Sequence, residues 1–155
     1  MSTSVLFVCL GNICRSPLAE AALRREAERF GIELEVDSAG TGDWHIGRPP
    51  DHRATAVALR NGVDISGLRA RQVTPEDFRR VDHIVALDAQ NLADLRAMQP
   101  ADGRARLSLL LDHVEGREGQ AVADPYYGVD DHFDLTWSDV TAGAAGLVRK
   151  LGRGG

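Results

Sequence analysis

Cys9-Leu10-Gly11-Asn12-Ile13-Cys14-Arg15, with Ser16-Pro17 directly behind it, is the stretch on which the reading of this chain turns. Val5 to Leu10 is short, apolar and rich in β-formers, the pattern of a buried strand. Beyond the stretch, Ala19, Ala22, Leu23, Ala27 and Phe30 recur at helical spacing, and Gly31 ends the run. Ser16 is a candidate N-cap, and Pro17 suits the first turn because its missing N–H costs nothing there. A cysteine and an arginine therefore bracket a short loop between a strand and a helix N-terminus.

That position favours an oxyanion. A helix N-terminus offers free N–H groups and a partial positive charge, and a tight loop aims more N–H groups inward as an anion nest. Gly11 and Asn12 are residue types that tolerate the left-handed backbone such a curl needs. Leu10, Gly11, Asn12, Ile13, Cys14 and Ser16 would form the binding loop, and Arg15 adds a forked, permanently charged donor for two phosphate oxygens. Cys9 shares this field, which favours its thiolate, and the Ser16 hydroxyl can donate to that sulfur. The combination suits attack of a thiolate on phosphorus while the phosphate oxygens are held. A lone cysteine after a buried strand is more often a small core residue, and the C-x5-R spacing alone recurs by chance. The strand-to-helix junction, the internal glycine and the following Ser-Pro favour the catalytic reading. A nucleotide-binding loop is excluded, because the Gly-Lys-Ser/Thr ending is missing.

The rest of the chain alternates strand and helix. Leu34 to Ser38 reads as a second strand, and Ala39-Gly40-Thr41-Gly42 and Gly47-Arg48-Pro49-Pro50 read as loop. Asp51 caps a helix closed by Asn61-Gly62, and Thr74-Pro75-Glu76-Asp77 opens a short helical turn. His83 to Leu87 is a third strand, Asp88 to Met98 a helix, Arg106 to Leu110 a fourth strand, and Phe133 to Leu151 a final helix. Gly143 and Gly146 weaken that last pattern. The expected fold is α/β: one three-layer domain over residues 1–155, a parallel sheet with right-handed crossovers and helices on both faces, and a frayed tail at 153–155. Ligands of such sheets sit outside the carboxyl ends of the strands, where the Cys9–Arg15 loop lies.

Bulk properties narrow the classes. The 155 residues are 43% hydrophobic and 26% charged, with a formal net charge of -5. That is an ordinary globular composition with room for a sizeable core. An acidic chain is a poor nucleic-acid binder, no apolar run approaches a membrane span, and Met1-Ser2-Thr3-Ser4 lacks the basic start of a secretory signal. Two cysteines without a signal peptide suggest a reduced, cytoplasmic setting, and their spacing does not suit a zinc site. No cofactor is expected.

Attack at phosphorus expels an alkoxide or phenoxide that leaves faster when protonated, and a general acid contributes about 10²–10⁴-fold. Asp124-Pro125-Tyr126-Tyr127-Gly128 is the best source: a turn-prone loop with an acid beside a rigid proline and two aromatic rings. An ordinary Asp-Pro turn is the plainer reading, but the mechanism lacks an acid without Asp124. Trp44 is either a core plug beneath its loop or the wall of a cleft that grips an aromatic group.

Val5 through Pro17 resembles the opening of the low-molecular-weight protein tyrosine phosphatases. The resemblance continues through Asp37-Ser38-Ala39-Gly40, Asp43-Trp44-His45-Ile46-Gly47, Ala70-Arg71-Gln72, Leu87-Asp88-Ala89-Gln90-Asn91 and Asp124-Pro125-Tyr126-Tyr127-Gly128. It implies a four-stranded parallel sheet and metal-independent hydrolysis of phosphotyrosine through a phosphocysteine. It implies Cys9 as nucleophile, Arg15 as phosphate clamp and Asp124 as general acid. Asn12, Ser16 and Ser38 match residues that hydrogen-bond the loop into shape. Trp44, Tyr126 and Tyr127 match the walls that select an aryl phosphate. Cys14 matches a cysteine that forms a protective disulfide with the nucleophile. Leu68 departs from the family, standing where relatives often have a histidine bonded to the loop network. Relatives specialised for phosphoarginine carry threonine where this chain has Ile13, so the apolar side chain favours phosphotyrosine.

Three alternatives stand beside this reading. A protein-arginine phosphatase uses the same scaffold. So does an arsenate reductase, disfavoured because no cysteine follows Cys14. A redox-switch binding module built on Cys9 and Cys14 would leave Arg15 and Asp124 idle. The expected partner is a phosphotyrosine-containing protein, with phosphate or another oxyanion in the loop and neither nucleic acid nor membrane. A tyrosine kinase is a further candidate partner through Tyr126 and Tyr127, although wall packing explains those rings as well.

Overall fold

The computed structural model describes residues 2–126, 128 and 130–153. Four strands, β1 (Thr3–Cys9), β2 (Leu34–Gly40), β3 (His83–Ala86) and β4 (Arg106–Leu109), form one parallel sheet in the order β2-β1-β3-β4. The helices are α1 (Arg15–Arg29), α2 (His52–Arg60), α3 (Pro75–Arg80), α4 (Ala89–Met98) and α5 (Asp130–Arg153), and a single 3-10 turn, Leu110–His113, follows β4.

β1 is central because it is apolar on both faces. It pairs with β2 from Thr3↔Leu34 to Cys9↔Gly40 and with β3 from Val5↔His83 to Val8↔Ala86. Its alternation sends Val5, Phe7 and Cys9 into a core with α1, α2 and α5, and Leu6 and Val8 into a second core with Phe78 of α3 and Leu92 and Leu95 of α4. Each fully buried large side chain here, such as Phe7, Leu18 or Phe133, contributes about 1.5–3 kcal/mol. The chain crosses from β2 on one side of β1 to β3 on the other. The carboxyl ends of these strands are therefore the switch point where ligands gather in such sheets.

Several boundaries differ from the sequence pattern. β1 stops at Cys9, so Leu10 belongs to the loop. β2 runs on through Ala39 and Gly40, expected as loop, because Gly40 remains paired with Cys9 and also bridges Gln72. β3 ends at Ala86, and β4 ends at Leu109 where the 3-10 turn begins; there Asp112 Oδ2 accepts from the Leu109 amide at 3.0 Å. α5 starts at Asp130, ahead of the first core position Phe133. Gly146 weakens the helical pattern for a packing reason: a Cβ there would lie 1.9 Å from the His113 carbonyl oxygen. Gly154 and Gly155, part of the expected frayed tail, lie outside the described residues, and α5 continues to Arg153. Among the described residues, no helix is long and apolar enough to cross a membrane.

Candidate active site

Cys9 is the last residue of β1 and Arg15 the first of α1, so the loop between them closes the gap from sheet to helix. Its curl rests on Asn12, whose φ of 58° is the one positive value at a non-glycine position among the described residues. Gly11 is not in that region. What it provides is room: a Cβ there would lie 2.9 Å from the His45 ring. Gly40 is needed for the same reason, since its Cβ would stand 2.8 Å from the Leu10 carbonyl oxygen. The end of β2 backs the loop directly, with Thr41 and Gly42 amides donating to Cys9 and Leu10 carbonyls at 2.9 Å.

A directional hydrogen-bond network surrounds the Cys9 sulfur. The Asn12 amide N–H donates to Sγ at 3.3 Å, and Ser16 Oγ lies 3.0 Å from it. Asn12 Nδ2 donates to Ser16 Oγ at 2.8 Å and to Ser38 Oγ at 3.0 Å, and Ser38 donates onward to Glu20 Oε1 at 2.7 Å. Both amide hydrogens of Asn12 are thus used, and the Ser16 hydroxyl keeps its own hydrogen for the sulfur. Ser16 is not the helix cap. Cys14 holds that position without a side-chain cap bond, while Ser16 is the second residue inside the helix and turns its hydroxyl to this network. Among the described residues, the backbone N–H groups of Ile13, Cys14 and Arg15 donate to no protein acceptor, as expected where a helix begins.

The network closes without a histidine. Asn12 Oδ1 accepts from the Arg71 amide at 3.0 Å, and Glu20 pairs with Arg24 at 2.7 Å. Burial pushes the Glu20 carboxyl above its ordinary value against the opposing Ser38 bond and Arg24 charge. Leu68, in the departing position, packs half-buried against the main core.

Arg15 is only 3% exposed, and two groups aim its guanidinium. Its NH1 donates to Asp88 Oδ2 at 2.7 Å and to the Val122 carbonyl at 2.9 Å. Asp88 itself is fixed as the N-cap of α4, its Oδ1 accepting from the Asn91 amide at 2.7 Å. Arg15 NH2 points toward Asp124 Oδ2 at 3.6 Å. Asp124 is half exposed at the mouth, and its other oxygen accepts from the Tyr126 amide at 3.1 Å.

These groups line a cleft of about 400 Å³. Cys9, Arg15 and Asp124 meet in it, bordered by Leu10, Gly11, Ile13 and Cys14. Trp44 is no core plug, being 68% exposed on the cleft wall. The Tyr126 ring faces His45 with centroids 6.2 Å apart at 45°. Tyr127, expected as a wall, lies outside the described residues. Both cysteines are free and buried, and burial first, then the Asp51 charge, push the Cys14 thiol far above its ordinary value. Cys14 is therefore a neutral thiol. Among the described residues no His, Cys, Asp and Glu side chains cluster as metal ligands do.

The sequence reading missed Asp88 and His45. Asp88 carried a signal, an acid at the end of a strand and the start of a helix. His45 carried only its place beside Trp44.

The chain is similar in sequence and in fold to known phosphatases. The family model described as low molecular weight phosphotyrosine protein phosphatase matches residues 4–154. The chain is 47% identical over 126 residues to a low molecular weight protein-tyrosine-phosphatase of Bacillus subtilis, YfkJ, covering 80% of this chain and 81% of that one. Its fold superposes on a protein tyrosine phosphatase from Entamoeba histolytica, crystallised with Hepes in the active site, with a TM-score of 0.93 at 32% identity over 99% of both chains. It also superposes on a Drosophila arginine phosphatase, with a TM-score of 0.89 at 28% identity over 95% of this chain and 96% of that one. Sequence and fold together show that the chain belongs to the low molecular weight phosphotyrosine protein phosphatase family.

Proposed function

We propose that this protein hydrolyses phosphotyrosine in a protein substrate through a phosphocysteine on Cys9. The observation that carries the reading is the Cys9 sulfur at the mouth of α1, receiving the Asn12 N–H at 3.3 Å and Ser16 Oγ at 3.0 Å beside the buried Arg15. Two hydrogen bonds, a helix N-terminus and a guanidinium complement the negative charge of the phosphate bound next to the sulfur. In the first step the sulfur forms a bond to phosphorus, the bond to the tyrosine oxygen breaks, and Asp124 gives its proton to the departing phenoxide. Arg15 and the loop amides hold the phosphoryl oxygens throughout. In the second step Asp124, now a carboxylate, takes a proton from a water that attacks phosphorus. The sulfur leaves as thiolate with inorganic phosphate as product. Trp44 and Tyr126, with Tyr127 as expected from the sequence, form the walls for the aryl ring, and Ile13 adds an apolar contact. No step needs a metal.

Cys14 protects the site when Cys9 is oxidised. Peroxide takes Cys9 to a sulfenic acid, and attack by Cys14 sulfur then expels water and leaves a disulfide.

Likeness to an arginine phosphatase supports a second substrate, phosphoarginine. Rates on phosphotyrosine, phosphoserine and phosphoarginine peptides separate the readings. The proposal expects phosphotyrosine to lead, and a phosphoarginine peptide turned over faster contradicts it. Cys9→Ser abolishes turnover while inorganic phosphate still binds, because the loop amides and Arg15 remain. Loss of phosphate binding together with turnover counts against a loop built from backbone donors.

A further inference from the structure

We infer that Arg53 is a positioning residue for the general acid, a bracket that fixes the Asp124 loop against the phosphate-binding loop. The inference rests on the reading of Asp124 given above. Arg53 lies at the start of α2, and nothing in the mechanism so far uses it. Its guanidinium joins three parts of the molecule. Its Nε and NH2 fork onto the two Asp51 carboxylate oxygens at 3.0 and 3.1 Å. Its NH1 and NH2 donate to the carbonyl oxygens of Gly128 and Tyr126 at 3.1 and 2.8 Å. Its face lies over the Phe133 ring of α5, 4.7 Å from the centroid.

The two ends of this bracket lead to the two halves of the site. Asp51 is tied to the phosphate loop, since its amide donates to the Ile13 carbonyl at 2.8 Å. At the other end, the Tyr126 backbone is held at both its polar groups: its carbonyl by Arg53, its amide by Asp124 Oδ1 at 3.1 Å. The Gly128 amide closes the turn on the Pro125 carbonyl at 2.8 Å. Asp124 is half exposed, sits in a loop rather than a regular element, and is 3.6 Å from Arg15. Packing alone does not fix such a side chain. The planar fork, which satisfies a carboxylate and two carbonyls at once, does. Lysine has one ammonium and cannot span all four oxygens. The Asp51 carboxyl is held below its ordinary range: burial opposes this, but the Arg53 bonds outweigh it.

Misplacing a general acid hurts most where the leaving group needs the proton most. The test is therefore the ratio of kcat/KM on 2,4-dinitrophenyl phosphate to kcat/KM on phenyl phosphate. It is measured for the wild type, Asp124→Ala, Arg53→Lys, Arg53→Met and the double variant Arg53→Lys/Asp124→Ala. kcat/KM reports the steps through departure of the phenol, so slow hydrolysis of the intermediate does not mask the effect. The ratio is expected to rise tenfold or more in Arg53→Lys and Arg53→Met, within the range of a lost general acid. It is expected to rise no further when Arg53→Lys is added to Asp124→Ala. Arg53→Lys keeps the cation and serves if Arg53→Met fails to fold. An unchanged ratio in a folded Arg53 variant overturns the bracket. So does a further rise on the Asp124→Ala background, which would mean that Arg53 acts on the leaving group without Asp124. If Asp124→Ala itself leaves the ratio unchanged, the general-acid assignment falls and the bracket with it, an outcome distinct from failure of Arg53 alone.

Discussion

Asn12 shows how much one side chain carries. Its positive φ turns the loop, its backbone N–H reaches the Cys9 sulfur, and its amide joins Ser16, Ser38 and Arg71. The sequence indicated the turn, because Asn is among the few residues that accept a left-handed backbone. It did not indicate the network, whose partners come from β2 and from the segment before α3. Ser16 misled for the same reason: its type suits a cap, but a tertiary partner claims the hydroxyl. Removing that hydroxyl tests its role. A hydrogen bond to a charged group is worth about 1.5–3 kcal/mol, so Ser16→Ala is expected to lower kcat/KM by about tenfold to a hundredfold. An unchanged kcat/KM contradicts a bond to the reacting sulfur. Gly40→Ala is expected to cost about 1–3 kcal/mol, because the new methyl meets the immovable Leu10 carbonyl at 2.8 Å. A denaturant midpoint equal to wild type contradicts that close approach.

Among the elements, those with strong punctuation were legible. Thr74-Pro75-Glu76-Asp77 opens α3 as its composition indicated, with Asp77 Oδ2 accepting from the Thr74 amide at 2.8 Å. Asp51 caps α2 and Asp88 caps α4 through Arg53 and Asn91 amides. Less legible were the ends of strands, where a neighbouring strand rather than local propensity decides the last pair, as for Ala39 and Gly40. Asp77 also anchors Arg71, which reaches Asp37 on β2, so α3 is tied to the sheet by charge. Burial alone would raise the Asp77 carboxyl, but bonds from Arg71 and Thr74 outweigh it and hold it below the ordinary range. The stabilisation is therefore present above the unfolded value near 3.8 and is lost as pH falls through the lower folded value. Asp77→Asn is expected to lower Tm at pH 7 by an amount that holds down to about pH 3.8 and narrows only as pH falls further. A gap constant down to pH 2 contradicts the linkage.

For the whole molecule, alternation of strand and helix was enough to give a parallel sheet with both faces covered. The unbroken apolar run marked β1 as a buried strand, and its place between β2 and β3 buries both its faces. The 3-10 turn after β4 was not legible, and it half-buries a histidine. Ser108 Oγ lies 3.0 Å from His113 Nε2, while Nδ1 has no partner among the described residues. Burial first, then the Lys150 and His83 charges, push His113 down to about 4, with Asp112 opposing. The unfolded chain binds this proton more readily, so stability is full above 6.5 and falls as pH drops toward about 4. His113→Gln is expected to flatten the loss of Tm across that window, and a slope equal to wild type contradicts it. The meeting of Asp124 with Arg15 was legible only as chemistry, since an acid was required and one loop offered it. Their approach depends on α5, α2 and the carboxyl edge of the sheet together. The most direct test of the account is mass spectrometry of the acid-quenched enzyme during turnover of an aryl phosphate. The account predicts a phosphoryl group on the Cys9 sulfur that disappears in Cys9→Ser. Turnover with no adduct on Cys9, or with the phosphoryl group on another residue, would contradict it.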